Sequence, residues 1–183
     1  MGFSISWLAI RGKNKEQILE HFGLVDTGET DEANESPISG AQLSEGWYIM
    51  FFNDPTHPFV EPTSLATVSA DCLAVACQVE EHVMASSSYC FESGSEAWSV
   101  THESELGPRH LVERGHFPDP YSTVKLELTA EQDQGDREKE GVDYIWDIPV
   151  TLAYQVVGYR HDRVALKTGD EPYFTSLAFA GDA

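Results

Sequence analysis

Val83-Met84-Ala85-Ser86-Ser87-Ser88-Tyr89-Cys90-Phe91 runs through Glu92-Ser93-Gly94-Ser95 into Glu96-Ala97-Trp98-Ser99-Val100-Thr101-His102, and this stretch decides the fold class. Two alternating runs flank Ser93-Gly94, a dipeptide suited to a two-residue hairpin turn. The register this turn predicts pairs Tyr89 with Trp98 and Phe91 with Glu96. It gathers Val83, Tyr89, Trp98, Val100 and His102 on one face and leaves Ser86, Ser88, Ser99 and Thr101 on a face suited to solvent. Gly107-Pro108 turns the chain into a third strand, His110 to Arg114, and Leu73 to Val79 alternates as a fourth. The expectation is an antiparallel meander.

Outward from the meander, Phe3, Ile5, Trp7 and Ala9 alternate with Ser4 and Ser6, then Leu8 and Ile10 fill the other face, so this strand belongs in mid-sheet. Asn14 followed by Gln17 is a capping box, Ile18, Leu19 and Phe22 form one stripe, and Gly23 stops the helix before a short strand at Leu24 to Thr27. Thr30 to Gly40 reads as a polar loop, Trp47 to Phe52 as a buried strand, and His57 to Pro62 as a proline-rich connection. Asp119-Pro120 reads as an N-cap before Tyr121, Val124 and Leu128, which fit a helix stripe; Val124, Leu126 and Leu128 also fit a strand. Asp147 reads as the cap of a helix lined by Ile148, Leu152, Val156 and Val157 and stopped by Gly158. A weak strand at Val164 to Lys167 and an apolar end, Tyr173 to Phe179, complete the chain. The expected fold is α+β, one domain over residues 1–183. It has an antiparallel sheet of at least five strands with two or three helices on one side. Trp7, Trp47, Trp98 and Trp146 should lie in its core.

Composition bounds the partners. Against 31 Asp and Glu stand 11 Lys and Arg, a formal net charge of -20. Such a field repels nucleic acid and anionic membranes and attracts basic protein surfaces. With no long apolar run and a short apolar start lacking a basic leader, the expected location is cytoplasmic. Cys72, Cys77 and Cys90 fit neither a disulfide framework nor a zinc spacing and read as reduced, buried thiols. The acids concentrate in Asp26, Glu29, Asp31, Glu32 and Glu35, and again in Glu127, Glu131, Asp133, Asp136, Glu138, Glu140 and Asp143, where only Arg137 and Lys139 intervene. Each cluster is either a solvated loop or a docking face for a basic partner.

Motifs for chemistry are scarce. No G-x-S-x-G, phosphate loop or dinucleotide fingerprint is present, and no cofactor is expected. His82, His102, His110 and His116 fall in or beside the meander, with Glu80, Glu81 and Glu103 nearby. His102 and His110 on adjacent strands, with Glu103 as catalytic partner or Glu81 as third metal ligand, are the candidate site. The alternative is that these are ordinary histidines and that His102 orders the 103–109 turn. Residues 102 and 103 point to opposite faces unless a bulge intervenes, so Glu81 is the better ligand candidate.

Gly94-Ser95-Glu96-Ala97-Trp98-Ser99-Val100-Thr101-His102, His110-Leu111 and Gly115, with Asp143-Tyr144-Ile145-Trp146-Asp147-Ile148-Pro149 and Gly158-Tyr159-Arg160-His161-Asp162, resemble segments of small uncharacterised bacterial proteins. The resemblance covers the C-terminal half, implies a bacterial source and carries no activity. Two functions therefore remain. One is an acidic protein-binding module, immunity-like or inhibitor-like, docking a basic toxin or a nucleic-acid enzyme; acidic α+β immunity proteins of this size supply the analogy. The other is a small enzyme or ligand binder working from the His102 face.

Overall fold

Each residue of β1 (Ser4–Arg11) between Ile5 and Ile10 is buried, because the strand has a neighbour on each side and a hydrophobic layer on each face. It pairs antiparallel with β4 (Trp47–Phe52) and with β5 (Leu73–Glu80). In the computed structural model, which describes residues 2–181, these are the middle strands of one open nine-stranded sheet, β2-β9-β3-β4-β1-β5-β6-β7-β8. The outer strands are β2 (Leu24–Thr30), β3 (Ile38–Gln42), β6 (Ala85–Glu92), β7 (Ser95–Glu103), β8 (Val112–Gly115) and β9 (Thr175–Phe179), and every pairing is antiparallel.

Strand alternation sends Ile5, Trp7 and Ala9 into one core and Leu8 and Ile10 into another. The first core is covered by α4 (Asp147–Val157) through Ile148 and Leu152, and by α3 (Pro120–Glu138) through Tyr121 and Val124. The second is covered by α1 (Lys15–Phe22) through Ile18, Leu19 and Phe22, and by α2 (Pro62–Val68) through Leu65 and Val68. The α+β antiparallel expectation holds at nine strands, but among the described residues four α-helices occupy both faces. A central strand apolar on both sides has to be covered twice. All four tryptophans are buried.

Local signals hold where they are local. The Asn14–Gln17 capping box forms, Gly23 and Gly158 end their helices in the left-handed region, and Tyr121 to Leu128 is helix. Neither Asp119 nor Asp147 caps with its side chain: Asp147 is instead the first residue of α4 and receives Arg160 and Thr151. Val164 to Lys167 is not a strand. Its Lys167 and Leu166 amides donate to Gly158 and Asp170, folding the segment back on the end of α4. The strand within the expected 30–40 loop, β3, and the last strand, β9, are recruited by the sheet: β9 inserts between β2 and β3.

The hairpin differs by one residue. Ser93 (φ 52°) and Gly94 (φ 76°) make the turn, and Phe91 faces Glu96. Beyond that pair the register shifts, so Cys90, not Tyr89, opposes Trp98. A one-residue bulge reverses every later side chain. Ser86 and Ser88 therefore share the buried α4 face with Val100 and His102, while Ser87 and Thr101 point the other way. Val83 lies in the turn before β6, and the third strand begins at Val112 rather than His110.

The bulge leaves the Ala97 carbonyl to receive the His116 N–H at 2.9 Å. Gly115 (φ 83°) makes the approach possible, since a Cβ there would lie 2.1 Å from the Ala97 oxygen. Gly115→Ala should therefore cost about 1–3 kcal/mol of stability by urea denaturation. An unchanged midpoint would contradict the close β7–β8 approach.

Candidate functional site

His102 is fully buried at the end of β7, and both of its ring nitrogens are engaged. Nδ1 lies 2.6 Å from the His110 carbonyl and Nε2 3.0 Å from Asp143 Oδ2. A backbone carbonyl and a carboxylate thus flank the ring, one at each nitrogen. Asp143 Oδ1 also accepts the Trp146 N–H at 3.1 Å, and Ser86, the cross-strand partner of His102, donates to the Trp146 carbonyl at 2.6 Å. One cross-strand pair thus grips both sides of the Trp146 backbone, where the chain enters α4.

The candidate residues come together only in part. The His102 and His110 rings stand 6.2 Å apart, but His110 Nδ1 accepts the Glu103 N–H at 2.9 Å. The Glu103 carboxylate points across the sheet, and Glu81 receives the Phe3 N–H at 2.9 Å. Among the described residues no three His, Cys, Asp or Glu side chains converge as a metal site. A cleft of about 300 Å³ does open beside His102 and Glu103, also lined by Glu80, Ser87 and Thr101. It lies where α1 and α2 stop covering their face of the sheet. Its hydroxyls are partly satisfied by each other, Ser87 donating to Thr101 at 3.0 Å.

Of the three cysteines expected to be buried, Cys72 is only half-buried. All three are free; Cys77 and Cys90 are buried, and desolvation pushes the Cys90 thiol up to about 12.

The two acidic clusters separate. The first lies along and beyond β2 and the second on α3 and its C-terminal exit, which packs beside β8, so they sit at opposite edges of the sheet. The intervening strands span roughly 38 Å at the usual interstrand spacing. Within the first, Asp31 is buried and accepts the Glu35 and Ser36 N–H groups, while Asp26 receives Lys15, the Gly28 N–H and Thr175. Burial pushes the Asp26 carboxyl up, but these donors together hold it below the usual range. Glu29, Glu32 and Glu35 are exposed. Within the second, Asp133 and Asp136 share Arg109, Glu140 receives the Tyr144 hydroxyl, and Glu127 and Glu131 are exposed without a partner among the described residues.

His161 was not a candidate in the sequence, where only its place after the Gly158 helix stop marked it. Both of its ring nitrogens are sealed from solvent with no hydrogen-bond partner. Its ring packs edge-on against Phe3 at 4.7 Å and lines a cavity of about 470 Å³. Desolvation holds its pKa below the ordinary histidine value.

No protein-family model, curated protein or solved structure matches this chain.

Two predictions follow from the histidines' surroundings. His102→Ala should lower stability by about 2–4 kcal/mol, by loss of packing and of the Asp143 and His110 bonds, with no change in bound metal by elemental analysis. A variant as stable as the parent, or one that loses metal, would contradict a positioning role. For His161 the folded state favours the neutral ring. Stability should therefore fall as pH drops below the unfolded value of about 6.5 and level off below the lowered folded value. His161→Phe should flatten that slope relative to the parent in denaturant titrations at stepped pH. Parallel curves would show that the ring is solvated.

Proposed function

We propose that the chain is a protein-binding module that docks a basic protein surface through the exposed acidic face of α3. The observation that carries this reading is a charge pattern that runs against the helix's own electrostatics. Glu127 and Glu131 are like charges one turn apart, a spacing that costs an isolated helix a few tenths of a kcal/mol. Asp136 and Glu138 stand in the last turn, where the helix dipole favours cations. Intrachain pairing repays little of this, since Asp133 and Asp136 share one arginine and Glu127 and Glu131 have no partner among the described residues.

Elsewhere four of the cations are paired, Lys13 with Asp71, Lys15 with Asp26, Lys125 with Glu113, and Arg160 with Asp147 and Asp162, and on α3 itself Arg137 stands in the last turn among the acids. The surface left over is strongly negative. Its natural complement is a basic protein, such as a toxin neutralised in immunity-like fashion or a nucleic-acid enzyme whose phosphate-binding surface is blocked. The cleft beside Glu103 supports a second reading, small-ligand binding. Catalysis there would lack a free base in His102, whose nitrogens are both engaged.

Charge reversal at Glu127, Glu131 and Glu138 to Lys should abolish capture of the partner that the parent protein retains from its host. The same reversal at Glu29, Glu32 and Glu35, on the opposite edge, should leave capture intact. Association of the purified pair should slow steeply between low and physiological salt. Undiminished capture by the α3 variant, or a salt-independent association rate, would overturn the reading.

A further inference from the structure

β8 is the last strand of the sheet, and its outer edge is open. All four of its residues, Val112 to Gly115, are exposed, and β7 is its only strand partner among the described residues. The His116 N–H donates to Ala97, so by antiparallel alternation Val112 and Arg114 turn their backbone groups to β7, and Glu113 and Gly115 turn theirs away. Nothing among the described residues bonds the outward N–H and C=O groups of these two. The opposite edge is handled differently. β2 carries a register shift between Asp26 and Thr30, Gly28 stands at φ 77°, and the Asp26 and Thr27 side chains take the Gly28 and Glu29 N–H groups. A bulged, self-bonded edge resists a new strand. β8 has neither device, and it contains no proline: its ladder to β7 is unbroken, and its one carboxylate, Glu113, is held by Tyr121 and Lys125 of α3.

What lies beside the edge defines the occupant. Toward α3 is a pit of about 280 Å³ whose wall includes Leu111, Ile145 and Ile148, together with Arg109, Glu113 and Lys125. On the other face of the sheet, the neighbouring β7 presents Glu96 and Glu103, both exposed, which outnumber the single cation Arg114 of β8. A second copy of the chain would bring its own net charge of -20 to the same place. An extended segment that alternates aliphatic and basic residues suits it better. Its main chain would bond Glu113 and Gly115, its aliphatic side chains would face the pit, and its Lys or Arg would face Glu96 and Glu103.

We propose that β8 is a strand-addition site, where an extended basic segment of the partner pairs with Glu113 and Gly115 and lengthens the sheet. The inference rests on the basic partner proposed above, and it adds a backbone contact to the charged contact on α3.

The probe is an L-peptide of about eight residues, alternating Lys and Val and blocked at both ends. It is titrated into the intact chain at low salt and followed by calorimetry and amide hydrogen exchange. It should saturate and slow exchange of the Glu113 and Gly115 amides. The same peptide N-methylated on both edges keeps every charge but cannot pair, and should bind at least about tenfold more weakly. Glu113→Pro removes an outward N–H and no bond to β7, and should weaken binding by a similar factor. Glu113→Gln keeps that N–H and should stay within about threefold of the parent. The proposal is overturned if the Lys-Val peptide does not saturate, if the N-methylated form or the Glu113→Pro variant binds as well as the parent pair, or if sedimentation shows the free chain already paired with itself through β8. Failure here is separable from failure of the α3 reading. Binding that survives N-methylation and is lost on reversing Glu127, Glu131 and Glu138 removes strand addition and keeps the charged face. Binding that needs the Glu113 N–H and ignores the reversal does the opposite.

Discussion

Everything in this molecule is arranged around a strand that has no solvent side. From Ile5 to Ile10, β1 is buried on both faces and hydrogen-bonded along both edges, so a polar side chain in it must find its partner inside the protein, and the Trp7 indole N–H finds none. Ser6 meets the condition by donating to the Asp54 carbonyl at 2.6 Å. The sheet must extend on both sides of β1, and each face must find its own helices. Two independent cores follow, one under α3 and α4 and one under α1 and α2. Where the second pair of helices runs out, the sheet is left with Glu80, Thr101 and Glu103 reaching solvent and Ser87 buried beside them, and the cleft beside His102 is the result.

The first core carries a buried polar stripe that does for position what the apolar residues do for stability. Ser86 and His102 face each other across β6 and β7 and hold the Trp146 backbone from two directions, His102 by way of Asp143. Arg160 does the same at the next turn, taking both Asp147 oxygens and Thr151. Such bonds contribute modestly when made and cost more when broken, because a lone buried partner keeps its desolvation penalty. The entry angle of α4 is therefore set by hydrogen bonds that only one register of β6 and β7 can make.

Charge follows a different logic. Lys13, Lys15 and Lys125 brace edges and loop ends, while the unpaired acids collect in two places at opposite edges of the sheet. The acids on β2 and the following turn include members that brace the chain, Asp26 and Asp31. Those on α3 work against the helix that carries them. The distinction lies in where each side chain's hydrogen-bonding capacity goes, which composition alone does not reveal.

How much of this was legible in the chain depends on the range of each interaction. The Asn14–Gln17 box, the Gly23 and Gly158 stops, the Ser93-Gly94 turn and the apolar runs of β1, β4 and β5 are decided within a few residues, so the sequence by itself determined them and, with them, the α+β antiparallel class. The net charge was equally fixed by composition. Tertiary structure decided the rest. The bulge before Trp98 carries Val100 and His102 to the α4 core, on the face where the pairing with β5 already holds Ser86 and Ser88 against their polarity. β9 finds its slot only once β2 and β3 are both in place. His161 loses its partners only when Phe3, from the other end of the chain, closes over it. Each of these balances a local cost against contacts far away in the chain, and that balance exists only in the folded state.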